Sequence, residues 1–188
     1  MKLTPITASA ALLLFTVSSL AQAEKPSPPK INEMAKPFAL KTLDDRTVKL
    51  YDLTKKGPVV LVVLRGYPGY QCPICTRQVA DLRSKAKAFQ EAGASVVLIY
   101  PGPADNLKKR AKEFLDGDTL PDGFTLVIDP DYKFTNDYGL RWDAPKETAY
   151  PSSFVISKEN KVVSAHISKT HGGRTKAKAL VKTVQFYK

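Results

Sequence analysis

The chain has 188 residues, 43% of them hydrophobic, and carries 29 Lys and Arg against 18 Asp and Glu for a formal charge of +11. That length is about one domain, and the apolar content is too high for a disordered tail. Two cysteines and two histidines exclude a disulfide-rich scaffold and a four-cysteine zinc site.

Lys2, an apolar run from Ala10 to Leu20 and then Ala21-Gln22-Ala23 have the layout of a secretory signal peptide. The run is short of the ~20 residues of a spanning helix. The expectation is a signal over residues 1–23, cleaved after Ala23, and export to the periplasm or another extracytoplasmic compartment, where disulfides persist. Residues 24–33, with Lys25-Pro26-Ser27-Pro28-Pro29-Lys30, read as a proline-rich mobile linker. Residues 34–188 read as one domain with no internal repeat.

Phe38-Ala39-Leu40 and Val48-Lys49-Leu50 flank Asp44-Asp45, which predicts a short hairpin. The unbroken apolar run Val59–Leu64 predicts a strand buried on both faces. A helix over 76–92 follows, with Val79, Leu82, Ala86 and Phe89 on its inner stripe and Gly93 at its end. Val96–Tyr100 reads as a second buried strand, stopped by Pro101-Gly102-Pro103. Residues 104–116 read as a helix with Leu107, Ala111, Phe114 and Leu115 inward, and Leu126-Val127-Ile128 as a third strand. Phe154-Val155-Ile156 and Val162–Ile167 bracket Lys158-Glu159-Asn160-Lys161, a second hairpin. A helix from Arg174 to Phe186 closes the chain, with Leu180, Val181, Val184 and Phe186 inward. Strands alternating with helices imply parallel pairing through right-handed crossovers, and the last hairpin adds antiparallel strands. The fold class is α/β: a mixed sheet with helices on both faces.

The chemistry points to Cys72 and Cys75. Both lie between the first buried strand and the first long helix. Cys72 falls at the helix N-cap, Pro73 suits the first helical position, and Cys75 lies in the first turn. A thiolate there faces free N–H groups and the positive end of the helix dipole, so its pKa falls below the usual ~8.5. Arg65 and Arg77, near in sequence, add positive charge. A purely structural disulfide across two residues would remove little unfolded-state entropy. A buried apolar pair fits poorly with the Gly- and Pro-rich approach at 66–69. A metal site would need His166 or His171 beside the sulfurs to hold Cu(I) or zinc, and neither spacing matches a metal motif. Thiol redox chemistry is therefore the leading expectation, with no metal and no cofactor beyond an external thiol reductant.

Strand, CxxC, helix and a Pro-led late strand resemble the thioredoxin superfamily, and within it the redoxin and peroxiredoxin-like group of the alkyl hydroperoxide reductase/thiol-specific antioxidant type. The resemblance covers residues 34–167 and includes Gly57-Pro58-Val59-Val60-Leu61, Asp129-Pro130-Asp131 through Tyr138-Gly139-Leu140, and Pro151-Ser152-Ser153-Phe154-Val155-Ile156. It implies a thioredoxin-like fold and antioxidant activity. It places the family motif on Pro68, Cys72 and Cys75, with Cys75 at the peroxidatic position and Cys72 where a Thr or Ser is usual. Pro151 stands where the family's arginine is expected, and Arg65, Arg77, Arg141 and Arg174 are possible substitutes. Tyr150-Pro151 also resembles the cis-proline of thioredoxin-like oxidoreductases, which faces the cysteine pair, so Cys72, Cys75 and Pro151 are the expected catalytic residues, ahead of any arginine.

Three activities stay open at this stage. Cys75 could attack a peroxide and Cys72 resolve it into a redox-active disulfide. Cys72 could attack a protein disulfide and Cys75 release the product. A binding or metal-delivery module could use the cysteines with a histidine. Expected partners are a thioredoxin-like thiol donor and a peroxide or disulfide substrate. Seven basic residues and no acidic one follow Glu159, and they read as the solvated face of the last helix rather than a nucleic-acid site.

Overall fold

The computed structural model describes residues 26–188, so the signal segment expected over residues 1–23 lies outside the described residues. Among the described residues seven strands form one sheet in the order β2-β1-β5-β4-β3-β6-β7. The strands are β1 (Ala39–Thr42), β2 (Thr47–Lys49), β3 (Val59–Val63), β4 (Ser95–Gly102), β5 (Phe124–Pro130), β6 (Ser152–Ile156) and β7 (Val162–Ile167). The helices are α1 (Leu50–Thr54), α2 (Pro73–Arg83), α3 (Ala86–Glu91), α4 (Leu107–Leu115), α5 (Lys133–Asp137) and α6 (Ala177–Phe186).

β3, β4 and β5 pair in parallel, and the remaining pairs are antiparallel. This is the expected mixed sheet. β3 is buried at every position because both its faces are covered. Alternate residues feed two cores. Val60, Val62 and Leu64 join Val79 and Leu82 of α2, Phe89 of α3, Ala111 of α4 and Leu180 of α6. Val59, Leu61 and Val63 join Leu50 of α1, Phe134 of α5, Tyr138 and Phe154. Helices thus cover both faces, and the two cysteines lie in the first core.

Several elements depart from expectation. The helix expected over 76–92 is two helices. Lys85 leaves helical geometry at φ −112° and ψ 14°. Its N–H donates to Leu82 O at 3.0 Å, a tightened turn, while Ser84 Oγ bonds back to Asp81 O at 2.7 Å. β4 does not stop at Pro101 but runs to Gly102, staying in register with β5 as far as Pro130. α6 starts at Ala177 rather than Arg174, and Phe186, expected inward, is 81% exposed. Helices α1 and α5 were not expected. Asp129 explains α5: its carboxylate is fully buried and accepts from the N–H groups of Phe134 at 2.8 Å and Thr135 at 3.0 Å.

Residues 26–33, expected as a mobile linker, are held against the domain. Pro29 is buried, Lys36 Nζ donates to Ser27 O at 2.9 Å, and Asn32 N–H donates to Val162 O at 2.8 Å.

Candidate active site

The site is built where β3 ends and α2 begins. Gly66 turns the chain out of the sheet at φ +69°, and a Cβ there would lie 1.8 Å from Pro101 O. Only glycine fits this approach. The loop to Gln71 is then fastened: Gln71 Oε1 accepts from Tyr100 Oη at 2.8 Å, and Gln71 Nε2 donates to Arg110 O at 2.9 Å.

Cys72 is the N-cap of α2 with φ −86° and ψ 109°, and Pro73 is its first helical residue. Thr76 N–H donates to Cys72 O at 3.2 Å, opening the helical ladder. Cys75 lies one turn in. Both expectations of position hold. The expected exposure does not: Cys72 is 3% exposed and Cys75 1%. They are free thiols packed into the first core. The Gly- and Pro-rich approach shapes the backbone here without exposing the sulfurs, which belong to the same buried cluster as Val79 and Leu82.

Two donors converge on Cys75 Sγ. The Arg65 backbone N–H reaches it at 3.4 Å, and Arg174 Nη2 at 3.3 Å. The same Nη2 lies 4.0 Å from Cys72 Sγ. Arg174 is itself held by Gln78 Oε1 at 2.7 Å and by His171 O at 3.1 Å. A hydrogen bond from the Cys75 thiol, the free N–H groups of Cys75 and Ile74 in the first turn, and the Arg174 charge bring the Cys72 thiol down to about 5, against the opposing effect of burial. Cys75 is pushed up, because it shares its proton with Cys72 and is buried. The pair therefore gives up one proton readily and holds the second.

The other expected residues fall into place as follows. Arg65 is buried, and its guanidinium points away from the sulfurs to Glu147, with Nε to Oε2 at 2.8 Å. Its contribution at Cys75 is a backbone N–H, not a charge. Arg77 is exposed on α2 and lines a cleft of about 440 Å³ with Ile74, Gln78, Asp81 and Arg174. Arg141 donates to Thr148 O at 2.6 Å and lies over the Tyr132 ring. Pro68 lines a separate cavity of about 480 Å³ with Tyr67, Arg110 and Arg141. Pro151 directly precedes β6, and its carbonyl accepts from Ser168 N–H at 2.9 Å. The Tyr150–Pro151 bond is trans, as are all peptide bonds among the described residues, which corrects the expected cis geometry.

Neither histidine is aimed at the sulfurs. His171 Nε2 contacts Glu147 Oε1 at 2.8 Å, and His166 Nε2 contacts Gly173 O. Among the described residues no group of three or more His, Cys, Asp and Glu side chains is placed to hold a metal ion. Sequence reasoning grouped Arg174 with three other arginines and did not single it out. Glu147, Gln78 and Tyr70 were missed altogether. The only sequence signal for Arg174 was its place in the Gly-rich loop directly after the last hairpin.

The site is thus a buried thiol pair at a helix N-terminus, faced by an arginine and a strand-end N–H, at the end of the central strand of this sheet. The model of the AhpC/TSA family matches residues 31–165, and the chain belongs to that family. It is 32% identical over 126 residues to the chloroplastic peroxiredoxin Q of Sedum lineare, covering 67% of this chain and 62% of that protein. It is 29% identical over 140 residues to the peroxiredoxin Bcp of Bacillus subtilis, covering 71% and 82%. The chain spans less than two thirds of its plant relatives, 53% in the case of the wheat (Triticum aestivum) peroxiredoxin Q. Among solved structures, the peroxidoxin BcpB of Mycobacterium tuberculosis superposes with a TM-score of 0.67 at 25% identity, covering 85% of this chain and 99% of that one. A peroxiredoxin-like protein from Aquifex aeolicus shares the fold, with a TM-score of 0.65 at 17% identity over 86% of this chain and 89% of its own.

Proposed function

We propose that this protein reduces hydroperoxides with Cys75 as the peroxide-attacking sulfur and Cys72 as the resolving one. The convergence of the Arg65 N–H and Arg174 Nη2 on Cys75 Sγ carries this reading. Cys72, ionised as the more acidic of the two, takes up the Cys75 proton as the peroxide approaches; this runs against the resting preference of the pair, and the Arg65 N–H and Arg174 Nη2 at Cys75 Sγ offset the cost. The Cys75 thiolate attacks the nearer peroxide oxygen. The S–O bond forms as the O–O bond breaks, and the departing alkoxide takes a proton from Cys72. Sulfur is oxidised by two electrons and the peroxide is reduced to an alcohol, or to water from hydrogen peroxide. Arg174 faces the negative charge that develops at both oxygens. Cys72, again a thiolate, then attacks the sulfenic sulfur; an S–S bond replaces S–O, and hydroxide leaves and takes a proton from solvent to become water. An external dithiol, such as a thioredoxin-like protein, reduces the disulfide by exchange and is itself oxidised. The names of the peroxiredoxin relatives support the reading.

Cys72 also fills the position usually held by a hydroxyl in the family motif, and its place as a sulfur base and resolver accounts for that departure. The leader pattern at Lys2 and residues 10–23 supports export, with the mature chain starting at Glu24. Pro151 contributes by anchoring Ser168 at the start of the loop that carries Arg174.

A second reading draws on the acidity of Cys72 at the helix start: attack by Cys72 on a partner disulfide. Peroxide consumption with dithiothreitol, set beside insulin-disulfide reduction, separates the two. Peroxide turnover that Cys75→Ser abolishes supports the first reading. Insulin reduction without peroxide turnover overturns it in favour of the second.

A further inference from the structure

Three loops meet beside the sulfurs, and one carboxylate joins them. Arg65, at the end of β3, directs its guanidinium into the loop before β6. Nε donates to Glu147 Oε2 at 2.8 Å, Nη2 to Glu147 Oε1 at 3.1 Å and to Lys146 O at 2.8 Å, and Nη1 to Tyr70 Oη. Glu147 Oε1 also meets His171 Nε2 at 2.8 Å. His171 stands three residues before Arg174 and accepts from Arg174 Nε through its own carbonyl at 3.1 Å. Trp142 stacks on Tyr150 at 4.8 Å and lies 5.2 Å from the His171 ring, which gives the imidazole a second neighbour besides Glu147.

We infer that Glu147 is a positioning residue for the thiol pair: it holds the Arg65 arm and the His171–Arg174 arm so that both donors reach Cys75 Sγ. It touches neither sulfur. The two arms are far apart in sequence, and Glu147 is the group that Arg65 and His171 share. The carboxylate is almost fully enclosed at 11% side-chain exposure, beside an Arg65 side chain at 3%. Truncating it would leave a buried guanidinium unpaired and free the His171 loop. Both donors to Cys75 would then be free to drift.

The sign of the effect separates this role from a plain electrostatic one. Glu147 is an anion, so removing its charge alone favours thiolate and lowers the first ionisation of the pair. Losing the placement of Arg174 disfavours thiolate and raises it. The charged and titratable groups around the pair are Arg174, which favours the anion, and Tyr100. His171 and Arg65 face Glu147 itself.

The inference deepens the reading of this site as a thiolate centre and rests on it. The test is a titration of thiolate ultraviolet absorbance in the full chain, for wild type, Glu147→Ala, Glu147→Gln and His171→Ala. The expected result is a rise of about one pH unit in the Glu147→Ala midpoint, giving roughly fivefold less thiolate at about pH 5 and equal thiolate at about pH 9. Glu147→Gln, which keeps the shape and part of the hydrogen bonding, should recover part of the shift. His171→Ala breaks only one arm and should shift less than Glu147→Ala. A midpoint that is unmoved or lowered in folded Glu147→Ala overturns the inference. If Glu147→Ala does not fold, unmoved midpoints in both other variants overturn it. A wild-type midpoint in the ordinary thiol range would instead defeat the thiolate-centre reading.

Discussion

Replacing Arg174 with alanine should raise the first ionisation of the cysteine pair and slow peroxide reduction at every pH. Nη2 is 3.3 Å from Cys75 Sγ and 4.0 Å from Cys72 Sγ, and its charge favours thiolate on both. A hydrogen bond to a charged group contributes ~1.5–3 kcal/mol and one pK unit is ~1.36 kcal/mol, so its loss raises the midpoint by about 1–2 units. Arg174 is half-buried and water can replace part of its effect, which places the shift near the lower end. Cys72 starts at about 5, so the variant should titrate near about 6, from the smaller shift. Near neutral pH most of the thiolate would survive. The rate should still fall there, because Arg174 also faces the charge that develops on the departing oxygen, worth ~10²-fold for one lost donor. At about pH 5 a further loss of roughly fivefold follows from the thiolate fraction. Thiolate absorbance and single-turnover oxidation by hydrogen peroxide, both followed against pH, measure the two effects separately. A midpoint that does not rise, or a neutral-pH rate within twofold of wild type (about 0.4 kcal/mol), would refute the reasoning.

Other variants test other links. Gly66→Ala puts a Cβ 1.8 Å from Pro101 O at φ +69°, and should cost more than about 2 kcal/mol in urea unfolding; a loss under about 0.5 kcal/mol would show that the turn relaxes. Asp129→Ala strips buried N–H groups of Phe134 and Thr135 of their acceptor and should cost about 3 kcal/mol by the same assay. For Glu147, burial raises the carboxyl pKa, but the hydrogen bonds from Arg65 and His171 outweigh it and hold the group below its ordinary 4.5. Its contribution is therefore present above 4.5 and lost as pH falls through the lower, folded value. Wild type should lose stability more steeply than Glu147→Gln below that point, and parallel pH profiles would contradict this.

Pattern made the central strands legible: Val59–Leu64 is a short unbroken apolar run rich in valine and bounded by Gly57-Pro58 and Gly66, which reads as a doubly buried strand, and Lys158–Lys161 marks a hairpin turn. Helices α1 and α5 escaped because five residues hold too little of a 3.6-residue repeat to register. The break at Ser84 and Lys85 was hidden by an apolar stripe that stays in phase across it, through Leu82, Ala86 and Phe89. At the site, the N-cap cysteine and Pro73 were legible because capping is local. Arg174 and Cys75 are 99 residues apart, and only the folded sheet brings the last loop over α2. Glu147 was invisible for the same reason, since its partners are 82 and 24 residues away. The burial of both cysteines was not legible either, because the cluster they join is assembled from strands and helices distant in sequence.

The central claim is that Cys75 attacks and Cys72 resolves. Mass spectrometry of the reduced protein after one equivalent of peroxide, with a sulfenic-acid trap, tests it most directly in the two single variants. Trapped sulfenic acid is expected on Cys75 in Cys72→Ser, no fast oxidation in Cys75→Ser, and a Cys72–Cys75 disulfide in wild type. Rapid sulfenic acid on Cys72 in the Cys75→Ser protein, with Cys75 inert when alone, would contradict it.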